Sequence, residues 1–124
     1  MDIINIIKLS IIVLLLDIIT LKYIIGPYFG DLINKIQSSP MKMNYISAII
    51  AYILIIASIY IFIINNNFTT NKKYILSFLL GIFIYGIYET TNKAIIKDWT
   101  WKAVIIDTTW GGLLYLISTW VMCR

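Results

Sequence analysis

The sequence contains no histidine, a single cysteine and only two prolines. Without histidine, the chain lacks imidazole ligands for zinc or haem, the commonest general base of nucleophilic catalysis, and a histidine-based pH switch. With Cys123 alone, a disulfide bond within the chain is excluded. These absences remove most enzymes that depend on metals or nucleophiles from consideration.

Charge is also scarce. Charged residues make up 13% of the 124 residues, about half the share that is usual in soluble domains. Hydrophobic residues make up 60%, and the mean hydropathy is +0.88. The net charge of +4 is scattered along the chain, which leaves no basic face for nucleic acid. The composition therefore predicts a single membrane-embedded domain over residues 1–124, in contact with a lipid bilayer.

Four apolar runs are each long enough to cross a bilayer, which takes about 20 residues. In lipid the backbone must satisfy its own hydrogen bonds, so each run is predicted to be a helix. The predicted helices cover residues 3–25, 44–64, 74–96 and 102–122. The first run is too long for a signal peptide and contains Asp17, so we interpret it as a retained helix. The predicted fold class is an all-α, multi-pass integral membrane four-helix bundle.

A short amphipathic segment links the first two runs. We call the side of the membrane where the first run begins side A, and the opposite side, where this link lies, side B. Apolar residues recur at helical spacing, with polar residues opposite, which predicts an interfacial helix over residues 27–37. This apolar stripe consists of Phe29, Leu32, Ile33 and Ile36. A plain surface loop is the alternative. Basic residues favour side B as cytoplasmic by a narrow margin.

Three carboxylic acids fall in one layer inside the membrane. At about 1.5 Å per residue, Asp17, Glu89 and Asp107 lie about 8–12 Å below the surface of side B, on three different helices. Tyr52 falls at the same level on the second helix. A charge at that depth costs on the order of 2–3 kcal/mol, so such acids usually face the bundle interior and mark functional sites.

Helical spacing groups further residues with these acids. In the third run, Tyr85, Glu89 and Asn92 share a face; in the fourth, Trp110 and Gly111 follow Asp107 at i+3 and i+4. The predicted ligand-binding or ion-binding residues are Asp17, Glu89, Asp107, Asn92, Tyr85, Tyr88, Tyr52 and Trp110. Small residues allow helix backbones to approach closely, which predicts packing roles for Gly81, Gly86 and Gly111. No catalytic residue is assigned.

Structural interpretations of the same residues stay open. Glu89 and Lys93 are spaced i and i+4, which also suits a local ion pair. Asn92 also suits an interhelical hydrogen bond or the end of the third helix. Tyr85 and Trp110 also suit simple packing between helices.

Two segments of the sequence resemble motifs of a known protein family. The segments YGIYETTNKAIIKDW and VIIDTTWGG are similar to the C-terminal half of small bacterial and viral membrane proteins known as domain of unknown function 2177. The matching positions are Tyr85, Gly86, Tyr88, Thr91, Asn92, Trp99, Asp107, Trp110 and Gly111. Asp17 in LDIITL fills an acid position of the family, whereas Glu89 replaces its usual aspartate and Thr20 its tryptophan. The resemblance implies a four-helix membrane protein with one polar site, and no reaction.

Three functional hypotheses follow. In the first, the carboxylate layer binds a proton, a cation or a small polar ligand, for transport. Asp17, Glu89 and Asp107 are then the candidate ligands of a divalent cation, although no cofactor is required. In the second, the chain is a structural or partner-binding membrane subunit. The weak charge bias also permits a homo-oligomer, including the dual-topology dimers that would suit the transport hypothesis. In the third, two of the carboxylates serve as acid and base in a lipid-modifying enzyme, for which the sequence shows no clear nucleophile.

Overall fold

The computed structural model describes residues 2–124, and every regular element in that range is helical. The α-helices are α1 (Ile3–Thr20), α2 (Gly26–Gln37), α3 (Tyr45–Ile59), α4 (Thr70–Ile95) and α5 (Trp101–Met122). Two π-helical segments, Leu21–Ile25 and Tyr60–Ile64, extend α1 and α3. Four continuous helical stretches are long and apolar enough to span a membrane: Ile3–Gln37, Tyr45–Ile64, Thr70–Ile95 and Trp101–Met122.

Polar residues fix where the membrane helices begin. Each of them accepts backbone N–H groups of the first turn through its side chain, which satisfies donors that the helix itself leaves unpaired. These residues are Asp2 for α1, Asn44 for α3, Thr69 for α4 and Thr100 for α5. The structure thus contains the four predicted helices. A side-chain cap determines where each of them begins.

The chain does not break at Gly26-Pro27, where the sequence pattern indicated the start of a separate helix. α1 continues through Leu21–Ile25 into α2. Pro27 lies in the first turn of α2, where a missing N–H is tolerated. Gly26 donates its N–H to the carbonyl oxygen of Leu21, and a Cβ at this position would overlap that oxygen. Glycine therefore allows the π-helical segment to run on into α2.

The apolar stripe of α2 packs against the start of α5. Leu32 is 7% exposed and belongs to one buried cluster with Trp99, Ala103 and Val104. The other stripe residues, Phe29, Ile33 and Ile36, are partly buried against the same cluster. A location of α2 in the membrane interface remains a prediction.

The bundle core is formed by α1, the end of α3, and α5. Its buried side chains are Leu9, Val13, Ile59, Tyr60, Leu114 and Tyr115. α4 packs antiparallel along α5, and the two backbones approach closely where Gly81 faces Gly111. On the outer faces large apolar side chains are exposed, among them Ile46 at 73% and Ile53 at 58%. Such faces suit contact with lipid.

Candidate functional site

Asp17 is held by two donors from two other helices. Its side chain is 7% exposed. One carboxylate oxygen accepts the hydroxyl of Tyr52 from α3, and the other accepts the indole N–H of Trp110 from α5, at 2.9 Å. The carboxylate of α1 thus ties three helices together, and both of its oxygens have a partner.

Glu89 is the most deeply buried acid among the described residues, with 1% of its surface exposed. One of its oxygens accepts the indole N–H of Trp99 at 2.7 Å. Asp107, which is half-buried, lies near Glu89. Two neighbouring carboxyl groups repel each other unless one holds a proton or a cation lies between them. Glu89 and Asp107 therefore form a carboxyl pair across the α4–α5 interface.

The predicted layer of three acids divides into two sites. Within residues 2–124, no group of three or more aspartate, glutamate, cysteine or histidine side chains is arranged to hold a metal ion. Asp17 accepts hydrogen bonds from Tyr52 and Trp110, whereas Glu89 and Asp107 lie near each other. The structure thus contains one hydrogen-bonded carboxyl group and a separate carboxyl pair.

The three other predicted binding residues lie in different surroundings. Tyr85 packs its ring on Gly111 and is near both Asp17 and Asp107. Asn92 is half-buried, one turn beyond Glu89 toward side B. Tyr88 is 59% exposed, so its side chain points away from the buried acids.

Trp99 is a site residue that was not among the predicted binding residues. It is 6% exposed, and its N–H contacts Glu89. In the sequence, only the position of Trp99 in the family motif, ten residues after Glu89, indicated that it belongs to the site. Lys93, the local ion-pair candidate, has its ammonium 5.8 Å from the ring centroid of Trp101, a cation–π geometry.

The three glycines assigned to packing differ in the room around them. A Cβ on Gly81 would overlap the backbone carbonyl oxygen of Gly111, and a Cβ on Gly111 would overlap the ring of Tyr85. A Cβ on Gly86 would lie 3.5 Å from a methyl carbon of Thr108, which is ordinary contact. Only the first two glycines mark positions where any side chain is excluded.

Replacing Trp99 by phenylalanine tests the contact with Glu89. Phenylalanine keeps an aromatic ring against Phe29 and Leu32 but removes the N–H donor. We expect Trp99→Phe to lower the free energy of unfolding by about 1–3 kcal/mol, because a buried acceptor loses its partner. Trp101→Phe, at a ring that is 62% exposed, is the matched control and should have little effect. Equal losses in both variants would contradict the assigned role, as measured by unfolding in detergent.

Four membrane-spanning helices that enclose buried carboxyl groups define a multi-pass integral membrane protein. The chain belongs to the family described as predicted membrane protein (DUF2177), whose family model matches residues 3–123. The resemblance seen in the motifs is thereby confirmed over nearly the whole chain. No curated protein and no solved structure matches the chain.

Proposed function

We propose that this chain is a membrane transport protein in which the Glu89–Asp107 pair takes up and releases a proton or a small cation. The observation that carries the proposal is the proximity of these two carboxyl groups, one of which is 1% exposed. At membrane depth, such groups are expensive to bury and usually serve a function. A pair that needs a shared proton or cation provides an exchangeable binding site.

The pair by itself is sufficient to hold a proton. Two carboxyl groups can share one proton between their oxygens, whereas a metal cation needs further oxygen ligands, such as water, beyond the four that the pair supplies. Residues 2–124 also contain no third acidic or histidine ligand in a metal-holding arrangement with the pair. The test below therefore includes divalent cations as a separate condition.

Access to the pair from side B runs past Trp99 and α2. Phe29 packs against Trp99 with 5.8 Å between ring centroids, and Leu32 is buried in the same cluster. In this arrangement α2 closes the route to Glu89. The π-helical segment Leu21–Ile25 precedes α2, and such segments are frequent at functional sites. Movement of α2 about this segment would admit a proton or cation from side B.

A structural subunit is the second candidate, and the surroundings of Asp17 favour it. Both oxygens of this carboxylate are occupied by donors from α3 and α5. A buried carboxyl group that is hydrogen-bonded to two other helices fixes how those helices pack. We assign this role to Asp17 in either case, so the two candidates differ only at the Glu89–Asp107 pair.

Thermal unfolding in detergent, titrated with Na⁺, K⁺, Mg²⁺ and Ca²⁺ at several pH values, separates the candidates. A ligand at a hundred times its dissociation constant adds about 2.7 kcal/mol to the folded state, which is several degrees for a chain of this size. We expect removal of the shared proton at alkaline pH to lower the wild-type midpoint, and a bound cation to restore it. Glu89→Gln should stay folded and lose this response.

Asp98→Asn is the matched control, because this acid is exposed on side B. It should respond as wild type does. A wild-type midpoint that ignores both pH and cations, together with a destabilised Glu89→Gln variant, would favour the structural subunit. If the response is present, flux of the same ion into proteoliposomes should be lost in Glu89→Gln and retained in Asp98→Asn.

A further inference from the structure

A groove between α1 and the end of α5 opens toward lipid near side A. Its volume is about 300 Å³. Asn5, Lys8 and Arg124 line its polar part, and Ile11, Ile12 and Val121 are among the apolar residues that line the rest. Ile11 is 54% exposed and Val121 is 38% exposed, so the apolar part is open to the hydrocarbon of the membrane.

The polar part of the groove lies near the membrane surface on side A, and its apolar part lies deeper in the membrane. Asn5 lies at the side-A end of α1, and Arg124 follows α5 where that helix returns to side A. Ile11 and Ile12 come one to two turns further into the membrane along α1. Lys8 lies between these levels, and its long side chain can reach the polar end. A molecule in this groove would therefore meet cations near the surface and apolar side chains below them.

The polar part has an excess of positive charge. Among the described residues that line the groove, two are cationic and none has a carboxylate side chain. The guanidinium of Arg124 lies 4.5 Å from the ring centroid of Trp120, a cation–π contact that restricts where this side chain points. Arginine and lysine are the usual protein partners of phosphate groups. The charge of the groove is complementary to an anionic headgroup.

We propose that this groove binds an anionic phospholipid, with its phosphate between Lys8 and Arg124 and one acyl chain along Ile11, Ile12 and Val121. The apolar part distinguishes a lipid from a free phosphate ion, which would use only the cationic end. The site lies at side A, whereas the carboxyl pair lies nearer side B. The proposal is therefore independent of the transport function proposed above.

Native mass spectrometry of the delipidated full chain in detergent tests the site. Phosphatidylglycerol and phosphatidylcholine with identical acyl chains are titrated separately against wild type. A basic residue near a membrane surface contributes about five-fold to the affinity for an anionic lipid. We therefore expect Lys8→Gln and Arg124→Gln each to weaken phosphatidylglycerol binding about five-fold and the double variant about 25-fold. Phosphatidylcholine should bind more weakly to wild type and change little.

Matched variants separate this site from a general surface charge. Lys72→Gln removes a cation at side A whose ammonium lies over Phe68, outside the groove, and should leave binding unchanged. Lys8→Arg keeps the charge and should retain binding. Val121→Trp narrows the apolar part while both cations remain, and should weaken binding of phosphatidylglycerol. Unfolding midpoints without added lipid verify that each variant is folded.

Three results would overturn the proposal. Equal weakening by Lys72→Gln would assign the preference to the overall charge of side A. Displacement of phosphatidylglycerol by inorganic phosphate at equal concentration would assign the cations to a free anion. Unchanged binding in the Lys8→Gln, Arg124→Gln double variant or in Val121→Trp would remove the groove from the binding site.

Discussion

Gly81→Ala is expected to disrupt the packing of α4 against α5. The added Cβ would overlap the backbone carbonyl oxygen of Gly111, and a backbone atom cannot turn away as a side chain can. The two helices must separate, which also moves Glu89 away from Asp107. Overpacking of this kind costs about 1–3 kcal/mol, and each kcal/mol lowers the unfolding midpoint by roughly 4 °C. Thermal unfolding in detergent measures the loss.

Gly86→Ala on the same helix is the matched control. Its Cβ would make ordinary contact with Thr108, at 3.5 Å, and alanine favours a helix over glycine by about 1 kcal/mol. We expect its midpoint to equal or exceed that of wild type. If Gly81→Ala were as stable as Gly86→Ala, the close approach of α4 and α5 at Gly111 would be refuted.

Asp17→Ala is the second change with a large expected effect. The hydroxyl of Tyr52 and the indole N–H of Trp110 would both lose their acceptor inside the bundle. Each unsatisfied buried donor costs about 1–3 kcal/mol, so we expect a loss of about 2–6 kcal/mol in the free energy of unfolding. Denaturant titration in micelles measures this loss.

Asp17→Asn separates hydrogen bonding from charge at this position. The amide oxygen can accept from Trp110, and the amide nitrogen can donate to the hydroxyl oxygen of Tyr52, since a tyrosine hydroxyl both donates and accepts. We therefore expect a loss of at most about 1 kcal/mol. A loss in Asp17→Asn as large as that in Asp17→Ala would show that the negative charge, and not the pair of hydrogen bonds, is what the bundle needs.

The membrane helices could be predicted from the sequence because lipid leaves the backbone few alternatives. A run of about 20 apolar residues must be helical, and its length alone locates it. The ends were less certain: α4 begins at Thr70, whereas hydropathy placed the start at residue 74. The first turn of α4 is polar, and the cap at Thr69 determines where the helix begins. A hydropathy window does not detect such a local contact.

The path between α1 and α2 could not be predicted from local signals. Gly26-Pro27 indicates a turn in most contexts, because glycine and proline both disfavour the interior of a helix. Here a π-helical segment precedes them, and proline falls where its N–H is not needed. The apolar stripe of α2 was correctly recognised from its spacing, but periodicity does not say whether lipid or Trp99 covers it.

The contacts of the three acids could not be predicted from the sequence either. Depth counting placed Asp17, Glu89 and Asp107 in one layer, but it cannot say which of them are in contact. That depends on how the helices rotate and on which aromatic donors reach each acid. Tyr52 and Trp110 were predicted as members of the site, whereas the contact of Trp99 with Glu89 required the fold of the link between α4 and α5.

The central claim is that Glu89 and Asp107 share a proton. Infrared spectroscopy of the purified protein at neutral pH tests it through the C=O stretching band of a protonated carboxyl group. We expect wild type and Asp17→Asn to show this band and the Glu89→Gln, Asp107→Asn double variant to lack it. A band that disappears in Asp17→Asn and persists in the double variant would contradict the account.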